Sequence, residues 1–556
     1  MKRNESEISR RDFIREVAAV TALSQAALGG EARASKAAES PQSGFGAAKE
    51  RDQTEQAKGP RDTFVGIQMG PHSLFDEGIE PCLDFVQQTA AVNAVLVYSQ
   101  SYFADGHRPT ETLAQDHGLP FKELTGRKLP FIWVRPRDSY YRNTALRYRK
   151  PPSGTEFADR DLFAELLQPV RARGMKLYAR ILETSGRFVA EAVENFDKAL
   201  AVDVYGQPMD MGCWNNPDYR NFWAATAEDL FRSYELDGLQ WGAERHGPLM
   251  TTLLNGTPPF CFCEHCQSRC RAQGINVERA KKGFTELHTS VQTLLKATQA
   301  SSAGAASSAF TGMLRVVLRY PEVLAWEYQY RLSREETEQA IYAAVKKSKP
   351  SAQVGWHVDH QQSSWDQIYR AELTYGEMAP YSDFIKPIVY HDILGPRIRW
   401  WYLERLHKSV LADVPLEDFL ALYYDTFGYD KTKEPSLDKM DQTGFSPDYV
   451  FRETRRTVAE TGGKAKVYAG IGFDIPWNGK HFPSDAEKVY QATRGAFAAS
   501  ADGIVISREY DEMRRANLDA VGRATREEIS RRAAKVKAAS SQPARDEKPG
   551  RPALPE

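Results

Sequence analysis

The chain has 556 residues, of which 42% are hydrophobic and 26% are charged, so it can bury a sizeable core. Its 73 basic and 74 acidic residues give a formal net charge of −1. This balance excludes the basic surface that electrostatic binding of nucleic acid requires. The length is enough for several average domains or for one large barrel with insertions.

The N-terminal 34 residues are typical of a bacterial export signal. Residues 9–15 (S-R-R-D-F-I-R) resemble the twin-arginine motif, and a modest apolar segment at 17–28 precedes a small-residue cleavage site at 32–34. The apolar segment is too short to span a bilayer. We therefore expect a protein that is exported already folded, to the periplasm or outside the cell, without a stable membrane anchor.

Two polar segments flank the predicted folded region. Residues 35–60 are small and polar and are predicted to be a disordered leader, and residues 535–556 are predicted to be a solvated tail. A third low-complexity stretch, residues 297–309, lies between two helical patterns and is predicted to be an insertion loop. The sequence between leader and tail contains no convincing linker, which indicates one domain at 61–525.

Short apolar runs alternate with amphipathic helices throughout this domain. Such runs, separated by helices like 217–234 and 333–347, are typical of parallel strands that are buried on both faces. Ser333 followed by Glu336 predicts a capping box at the start of the second helix, whereas the Lys-Pro pair at 386–387 weakens the sixth strand. The eight predicted strands are residues 64–69, 94–99, 176–184, 237–242, 353–358, 384–391, 466–474 and 502–507.

Eight β/α repeats favour an α/β fold of the closed (β/α)8 TIM-barrel type with long loop insertions, and a doubly wound open α/β sheet is the alternative. In a barrel, catalytic groups lie at the C-terminal ends of the strands. Cleavage of a glycosidic bond needs two carboxyl groups there, one to protonate the leaving oxygen and one to attack the sugar or activate water. We predict Glu244 after strand 4 and Asp474 after strand 7, which would face each other across the barrel, with Glu509 and Asp392 in reserve.

Other residues at the strand ends are predicted to bind the substrate. Trp477 beside Asp474 is suited to stacking on a sugar face, while Trp241 and His246 would shape the pocket around Glu244. A salt bridge at the rim, with Arg245 or Arg508 as the partner, is the alternative role for each acid. The predicted substrate-binding residues are His72, Trp241, Arg245, His246, His357, His360, His391, Asp392, Trp477, Arg508, Glu509 and Tyr510.

Three motifs resemble those of glycoside-hydrolase-type TIM barrels: N-N-P-D-Y-R (215–220), D-G-L-Q-W-G-A-E-R (237–245) and C-F-C-E-H-C (261–266). They are similar to the β-galactosidase group, family 42, which has a Cys-x-Cys-x2-Cys zinc site. The resemblance covers about residues 64–520 in architecture but only 213–270 in motif. It implies a glycosidase that acts on an oligo- or polysaccharide, with Glu244 as the acid/base. The chain departs from the pattern in having Ala243 in place of Asn and Asp474 in place of Glu.

The cysteines favour a metal site. Four of the six lie within ten residues, at positions 261, 263, 266 and 270. Cys-x2-Cys supplies two thiolates to one ion, and zinc takes four tetrahedral ligands. The resemblance implies that Cys213 joins Cys261, Cys263 and Cys266, whereas a purely local alternative uses Cys270 or His265. Disulfides are the competing hypothesis, since the exported compartment is oxidising. We favour a structural zinc and expect no organic cofactor.

Two further functions stay open at this stage. The histidines and aspartates at 357, 359, 360, 391 and 392 could bind a catalytic divalent metal, as in sugar isomerases or metal-dependent hydrolases built on barrels. Alternatively, the barrel could bind a carbohydrate without cleaving it.

Overall fold

Eight parallel strands close into a barrel in the computed structural model of this chain. The structure describes residues 63–101, 116–118, 126–183, 192–299, 309–477, 480–482 and 484–540, so the predicted signal and leader lie outside the described residues. Each strand pairs with its neighbours in the chain, and the last strand pairs with the first. The strands are β1 (Phe64–Met69), β2 (Ala94–Tyr98), β3 (Lys176–Glu183), β4 (Gly238–Ala243), β5 (Gln353–Val358), β6 (Phe384–Pro387), β7 (Lys466–Gly472) and β8 (Gly503–Ser507).

The predicted (β/α)8 barrel is therefore confirmed, and the open-sheet alternative is wrong. All eight predicted strands occur at their predicted places. The sixth is the shortest and ends at Pro387, which has no N–H to donate to a continuing ladder. The strand order also places β8, rather than β7, directly opposite β4. This order decides which strand ends can face Glu244.

Helices connect the strands, and the longest insertions follow β4 and β6. The helices are α1 (Pro71–Glu77), α2 (Ile79–Ala90), α3 (Leu162–Ala172), α4 (Pro217–Ser233), α5 (Pro248–Asn255), α6 (Glu264–Ala272), α7 (Val277–Gln299), α8 (Ala309–Arg319), α9 (Glu322–Ser348), α10 (Gln367–Glu372), α11 (Tyr375–Met378), α12 (Leu394–Ile398), α13 (Glu404–His407), α14 (Leu416–Phe427), α15 (Pro447–Thr461), α16 (Ala486–Ala498) and α17 (Arg515–Ser540). Short two-stranded hairpins, such as Pro476–Trp477 with Lys480–His481, extend the loops. None of the helices in the described ranges has the length and apolar character that crossing a bilayer would require.

The local predictions for helix ends have mixed outcomes. Helix α4 begins as expected, because the side chain of Asn216 accepts hydrogen bonds from the next backbone N–H groups and Pro217 takes the first position. The predicted capping box at Ser333 is wrong, since α9 has already begun at Glu322 and Ser333 is buried within it. Helix α17 runs to Ser540, so the first residues of the predicted tail are helical.

Aromatic side chains fill the N-terminal half of the barrel interior. Phe64 stacks on Tyr468 with ring centroids 4.0 Å apart, and its edge-to-face partner Tyr178 lies 5.5 Å away. Phe384 completes the group at 4.9 Å from Tyr468. Because this aromatic plug occupies the interior at one end, polar groups inside the barrel are confined to the other end. We call the C-terminal ends of the eight strands, with the loops that follow them, the mouth of the barrel.

The aromatic plug generates a prediction about stability. Phe384 is fully buried, so Phe384→Ala should lower the free energy of unfolding by about 3–5 kcal/mol through lost contacts and the cavity left behind. The control Leu318→Ala changes a side chain on α8 that is 79% exposed, and it should cost less than about 0.5 kcal/mol. Urea denaturation followed by circular dichroism checks both, and equal midpoints for the two variants would contradict the packing described.

Candidate active site

Glu244 lies directly after β4, with its side chain in the mouth and 32% exposed. Its Oε1 atom is 2.9 Å from Nε2 of His357, which lies on β5. On the other side of the imidazole, Nζ of Lys386 on β6 is 3.3 Å from Nδ1. Because the lysine donates to Nδ1, Nε2 has the ring proton and donates it to the carboxylate. Three neighbouring strands thus supply one line of hydrogen bonds, from Lys386 through His357 to Glu244.

This line keeps Glu244 ionised. Burial alone would raise the pKa of Glu244, but the hydrogen bond from His357 and the positive charges of Arg397 and Lys386 outweigh burial and lower the pKa to about 2. Burial and the nearby Lys386 lower the pKa of His357 to about 4. At neutral pH, Glu244 is therefore a carboxylate beside a neutral imidazole. These protonation states suit attack on a sugar or activation of water, and not donation of a proton.

A second carboxyl group near Glu244 has the opposite character. Asp359 lies one residue past the end of β5 and is buried. Burial first, and then the negative charge of Glu244, raise its pKa to about 7. Its Oδ1 atom accepts a hydrogen bond from the backbone N–H of Gln362 at 3.1 Å, and its Oδ2 atom has no hydrogen-bond partner among the described residues. Asp359 can therefore hold a proton at neutral pH while Glu244 cannot.

Glycines on β7 make room for the side chains of Lys386 and Tyr390. A Cβ atom at Gly470 would lie 2.3 Å from Cε of Lys386, and one at Gly472 would lie 2.4 Å from ring atoms of Tyr390. The hydroxyl of Tyr390 is itself 2.7 Å from Nζ of Lys386. Both side chains pack against the backbone of β7 at points where any other residue would collide with them. The A-G-I-G pattern of this strand is thus part of the construction of the site.

Two other arginines in the mouth are already ion-paired. Nη1 of Arg180 on β3 is 2.7 Å from Oε1 of Glu509, which follows β8. The guanidinium of Arg180 also lies 4.0 Å above the ring of Tyr98. Arg508 bonds to Glu512 in the same turn of chain. Both of the predicted residues at 508 and 509 therefore lie at the mouth, but each is held by a partner of opposite charge.

Tryptophans form a platform beside these charged groups. The rings of Trp401 and Trp477 lie 5.1 Å apart between centroids, and Trp365 lies 6.2 Å from Trp401. Trp401 remains 37% exposed, and the guanidinium of Arg397 lies 5.1 Å from its ring centroid. We call these three tryptophans the aromatic ledge. The rings are inclined to one another, and the exposed part of Trp401 offers an aromatic surface that suits the apolar face of a sugar ring, in line with the role predicted for its neighbour Trp477.

The structure does not bring the predicted partner Asp474 to Glu244. Both carboxylate oxygens of Asp474 accept from Nδ2 of Asn517 at 2.8 Å, and one also accepts from the backbone N–H of Arg514 at 2.8 Å. These donors lie at the start of α17, and the side chain has no exposed surface. The residue also has a φ of +56°, a conformation that a structural turn requires. Asp474 therefore fastens the last helix to the end of β7.

Two predicted pocket residues belong to the packing and not to the mouth. Trp241 is fully buried, and its ring lies 6.0 Å from the rings of Trp223 and Trp356. Side chains alternate along a strand, so with Gln240 facing the interior, Trp241 must face the helices. Tyr510 is likewise buried and donates its hydroxyl to Glu77 at 3.1 Å. Neither side chain can shape a substrate pocket.

The other predicted binding residues form buried contacts of several kinds. Nε2 of His72 lies 2.9 Å from Oδ2 of Asp511, and Nδ1 of His246 lies 2.9 Å from Oδ2 of Asp366. Asp392 accepts from the Ser484 hydroxyl, and His391 is buried beside it.

His360 is the exception among them, because it contacts the site. Its Nε2 atom accepts from the backbone N–H of Tyr390 at 3.2 Å, which leaves the ring proton on Nδ1, and Nδ1 lies 3.2 Å from Nη1 of Arg397.

The predicted catalytic metal site has no counterpart in the described part of the chain. The candidate ligands at 357, 359, 360, 391 and 392 do not converge on one point, since the single group of ligand atoms close enough to share an ion consists of cysteines.

Those cysteines are Cys213, Cys261, Cys263 and Cys266, whose ligand atoms all lie within 4.8 Å of one another. Cys213 Sγ lies 3.4 Å from Cys263 Sγ and 3.5 Å from Cys266 Sγ. Four sulfurs around a tetrahedral zinc, each about 2.3 Å from the ion, would be about 3.8 Å apart, so the spacing fits. All four are free thiols, and Cys270 lies outside the group.

Arg245 links the cysteine group to the mouth. It follows Glu244 directly, and its Nη1 atom donates to the carbonyl oxygen of Gly212 at 2.9 Å. Its guanidinium lies 3.8 Å from the ring centroid of Trp214. Gly212 and Trp214 flank Cys213 in the chain. The arginine also lies 3.5 Å from Glu183, measured between Nη2 and Oε1, so the predicted binding residue Arg245 has a structural role between loop and strand.

Sequence reasoning missed two tryptophans of the ledge, Trp365 and Trp401, and four polar residues of this site: Arg180, Lys386, Tyr390 and Arg397. Arg180 and Lys386 carried a signal, because a charged residue at an inward position of an otherwise apolar strand must find a partner inside the barrel. For Lys386 that signal counted against the strand. Tyr390 and Arg397 lie in the loop after β6, where no periodicity indicates which side chains turn inward.

Comparisons with known proteins gave likeness in structure only. No family model matches the chain, and a search of curated proteins also found no match. A β-galactosidase from the psychrophilic Marinomonas ef1 matches with a TM-score of 0.42 at 10% identity, over 86% of this chain and 62% of that one. The PgaB (BpsB) glycoside hydrolase domain from Bordetella bronchiseptica matches with a TM-score of 0.41 at 10% identity, over 80% and 94%.

A cold-adapted β-galactosidase from Rahnella sp. R3 matches with a TM-score of 0.39 at 13% identity, over 86% of this chain and 57% of that one. The chain thus spans about three fifths of the length of the two β-galactosidases. At these TM-scores the comparison says nothing about the reaction of this chain.

The surroundings of Asp474 generate a second prediction. Asp474→Ala leaves two donors without their acceptor, the buried Asn517 amide and the part-buried Arg514 N–H, and should lower the free energy of unfolding by roughly 2–4 kcal/mol. Turnover per folded molecule should stay close to that of the wild type, because the residue has no exposed surface. Thermal unfolding combined with activity normalised to folded protein checks this. Full stability with lost activity would instead restore Asp474 as a catalytic group.

Proposed function

We propose that this chain is a glycoside hydrolase that cleaves an oligo- or polysaccharide in the mouth of its barrel. The observation that carries the proposal is the pair of carboxyl groups with opposed environments in the mouth that also holds the aromatic ledge: Glu244 is ionised, and Asp359 can hold a proton at neutral pH. Such a pair is what the cleavage of a glycosidic bond requires.

Each group has a defined task in this proposal. Asp359 donates its proton to the oxygen of the leaving sugar as the glycosidic bond breaks. Glu244 either attacks the anomeric carbon or takes a proton from the attacking water. His357 and Lys386 hold Glu244 as a carboxylate, and the ledge supports the sugar ring. When Glu244 attacks the sugar, Asp359 regains its proton from the water that then releases the sugar from Glu244. In a direct displacement, Glu244 releases to solvent the proton taken from water, and Asp359 regains one from solvent.

Two variants test the assignment. Glu244→Gln and Asp359→Asn should each lower kcat/KM on the best substrate of a panel of aryl glycosides and polysaccharides by about 10²–10⁴-fold. The matched control is Glu434→Gln, another buried carboxyl group whose pKa is raised to about 7 by burial, and which is bonded to Ser446 rather than to the site. This control should keep wild-type turnover.

The pH dependence of kcat/KM tests whether Asp359 is the proton donor. The pKa of Asp359 is raised to about 7, and the protonated form is the active one, so kcat/KM should fall as the pH rises above about 7. If Glu244→Gln retains full turnover, Glu244 does not have the proposed catalytic role. If the wild type cleaves no glycoside in the panel, the hydrolase proposal fails and a barrel that only binds carbohydrate becomes the better description.

We also propose that the four clustered cysteines bind a structural zinc. The spacing of their sulfur atoms suits a tetrahedral ion, which supports this proposal. The contacts of Arg245 with Gly212 and Trp214 connect the cysteine loop to the end of β4. A bound zinc would hold the loop that bears Cys213 and, through Arg245, the residue next to Glu244. In this arrangement the ion contributes to stability and does not take part in the reaction.

Metal analysis tests the zinc proposal. The purified protein should contain one zinc per chain, and Cys213→Ser should lose the ion and unfold at a lower temperature. Cys270→Ser is the matched control, because Cys270 is buried but lies outside the cluster, and it should keep the ion. Mass measurements that show a disulfide among these cysteines, in a protein without zinc, would refute the proposal.

Export is the remaining proposal. We propose that the twin-arginine motif at residues 9–15 directs the folded chain to the periplasm or outside the cell.

A further inference from the structure

Two arginines in the segment after β6 differ in a way that points to a ligand. Arg399 is ion-paired twice, with Nη1 2.8 Å from Oδ2 of Asp441 and Nε 3.3 Å from Oε1 of Glu404. Its guanidinium lies 5.0 Å from the ring centroid of Trp400. Arg397 has the same kind of stacking contact, at 5.1 Å from Trp401. In the part of the chain that the structure describes, however, no carboxylate forms an ion pair with Arg397.

The polar contacts of Arg397 leave its charge uncompensated at close range. Nη1 lies 3.2 Å from Nδ1 of His360, and Nε has no hydrogen-bond partner among the described residues. The residue is only 9% exposed. A buried guanidinium without a bonded anion is costly, and such charges are normally paired. Arg397, at the edge of the mouth, therefore has an unpaired charge. Arg399, which contacts the exposed Trp400, is fully ion-paired.

Charged groups farther away do not neutralise the positive charge of Arg397. Glu244 and Asp392 act on the charge of Arg397 without bonding to it, and Arg508 repels it. Burial and that repulsion lower the pKa of Arg397 to about 10, which still leaves it charged at neutral pH. Lys386, deeper in the mouth, also bonds to neutral partners, Tyr390 and His357.

We propose that the saccharide bound in the mouth has a negatively charged group, a ring carboxylate or a sulfate ester, that pairs with Arg397 while its ring stacks on the aromatic ledge. This inference rests on the proposed function for the position of the sugar. The planar fork of a guanidinium matches the paired oxygens of a carboxylate or sulfate. Because Trp401 contacts both Arg397 and Trp477, a sugar ring on the ledge places its substituents next to the guanidinium.

Binding measured without turnover tests this inference. The full-length protein is titrated with oligosaccharides from polysaccharides containing glucuronate, galacturonate or mannuronate, with the same oligosaccharides after chemical reduction of the carboxyl groups, and with sulfated oligosaccharides. At least one charged member should bind about tenfold or more tightly than its neutral counterpart. The carboxylate and sulfate arms show which anion is preferred.

Variants assign that preference to Arg397. Arg397→Gln should abolish the difference between charged and neutral members, and Arg397→Lys should retain part of it, because lysine keeps the charge but lacks the fork. The matched control Arg399→Gln should keep the full difference, since Arg399 is already paired within the chain. Circular dichroism confirms that each variant is folded.

The outcomes separate the two proposals. If charged members bind no better than neutral ones to the wild type, or if folded Arg397→Gln keeps the preference, the inference about an anionic saccharide is wrong whatever the activity. If the preference depends on Arg397 but no member of the panel is cleaved, the inference stands and the hydrolase proposal fails. Cleavage of neutral and charged members with equal kcat/KM would leave hydrolysis standing and overturn the inference.

Discussion

The hydrogen bond between His357 and Glu244 is the interaction on which the arrangement of charges in the mouth of this barrel depends. It joins β4 to β5, and the lysine behind the imidazole extends it to β6. The His357 hydrogen bond and the nearby cationic side chains lower the pKa of Glu244, whereas burial and the charge of Glu244 raise the pKa of Asp359. These opposed surroundings decide which of the two acids can hold a proton at neutral pH. Glycosidic cleavage needs that difference, so the protonation states follow from strand order and not from the loops.

The interior of the barrel explains why the polar groups collect at one end. The aromatic plug fills the space near the N-terminal ends of the strands, where Phe64, Phe384 and Tyr468 are in contact. Charged side chains inside the barrel therefore have only the mouth to occupy, and there each needs a counter-charge or a ligand. Arg180 forms an ion pair with Glu509, whereas Arg397 contacts His360 and the ring of Trp401.

The strands and the identity of the cysteine group were predictable, because apolar runs and ligand spacing are local patterns. Glu244 was predictable as well, since it ends a buried strand. Its protonation state was not, because that depends on His357 and Lys386, which are more than a hundred residues away in the chain. Asp474 shows the reverse error. It ends a strand in the same manner as Glu244, but its partners Arg514 and Asn517 come from a helix that no local pattern connects to it.

The glycines of β7 have a consequence for recognising related barrels. Lys386 can occupy its place only because residue 470 has no side chain, and Tyr390 depends in the same way on residue 472. The side chains of Lys386 and Tyr390 therefore fit only where the adjacent strand β7 has a glycine. In a set of related sequences, residues 386 and 470 should change together, and so should residues 390 and 472. Such coupled replacements would identify this site even where the acids themselves had been exchanged.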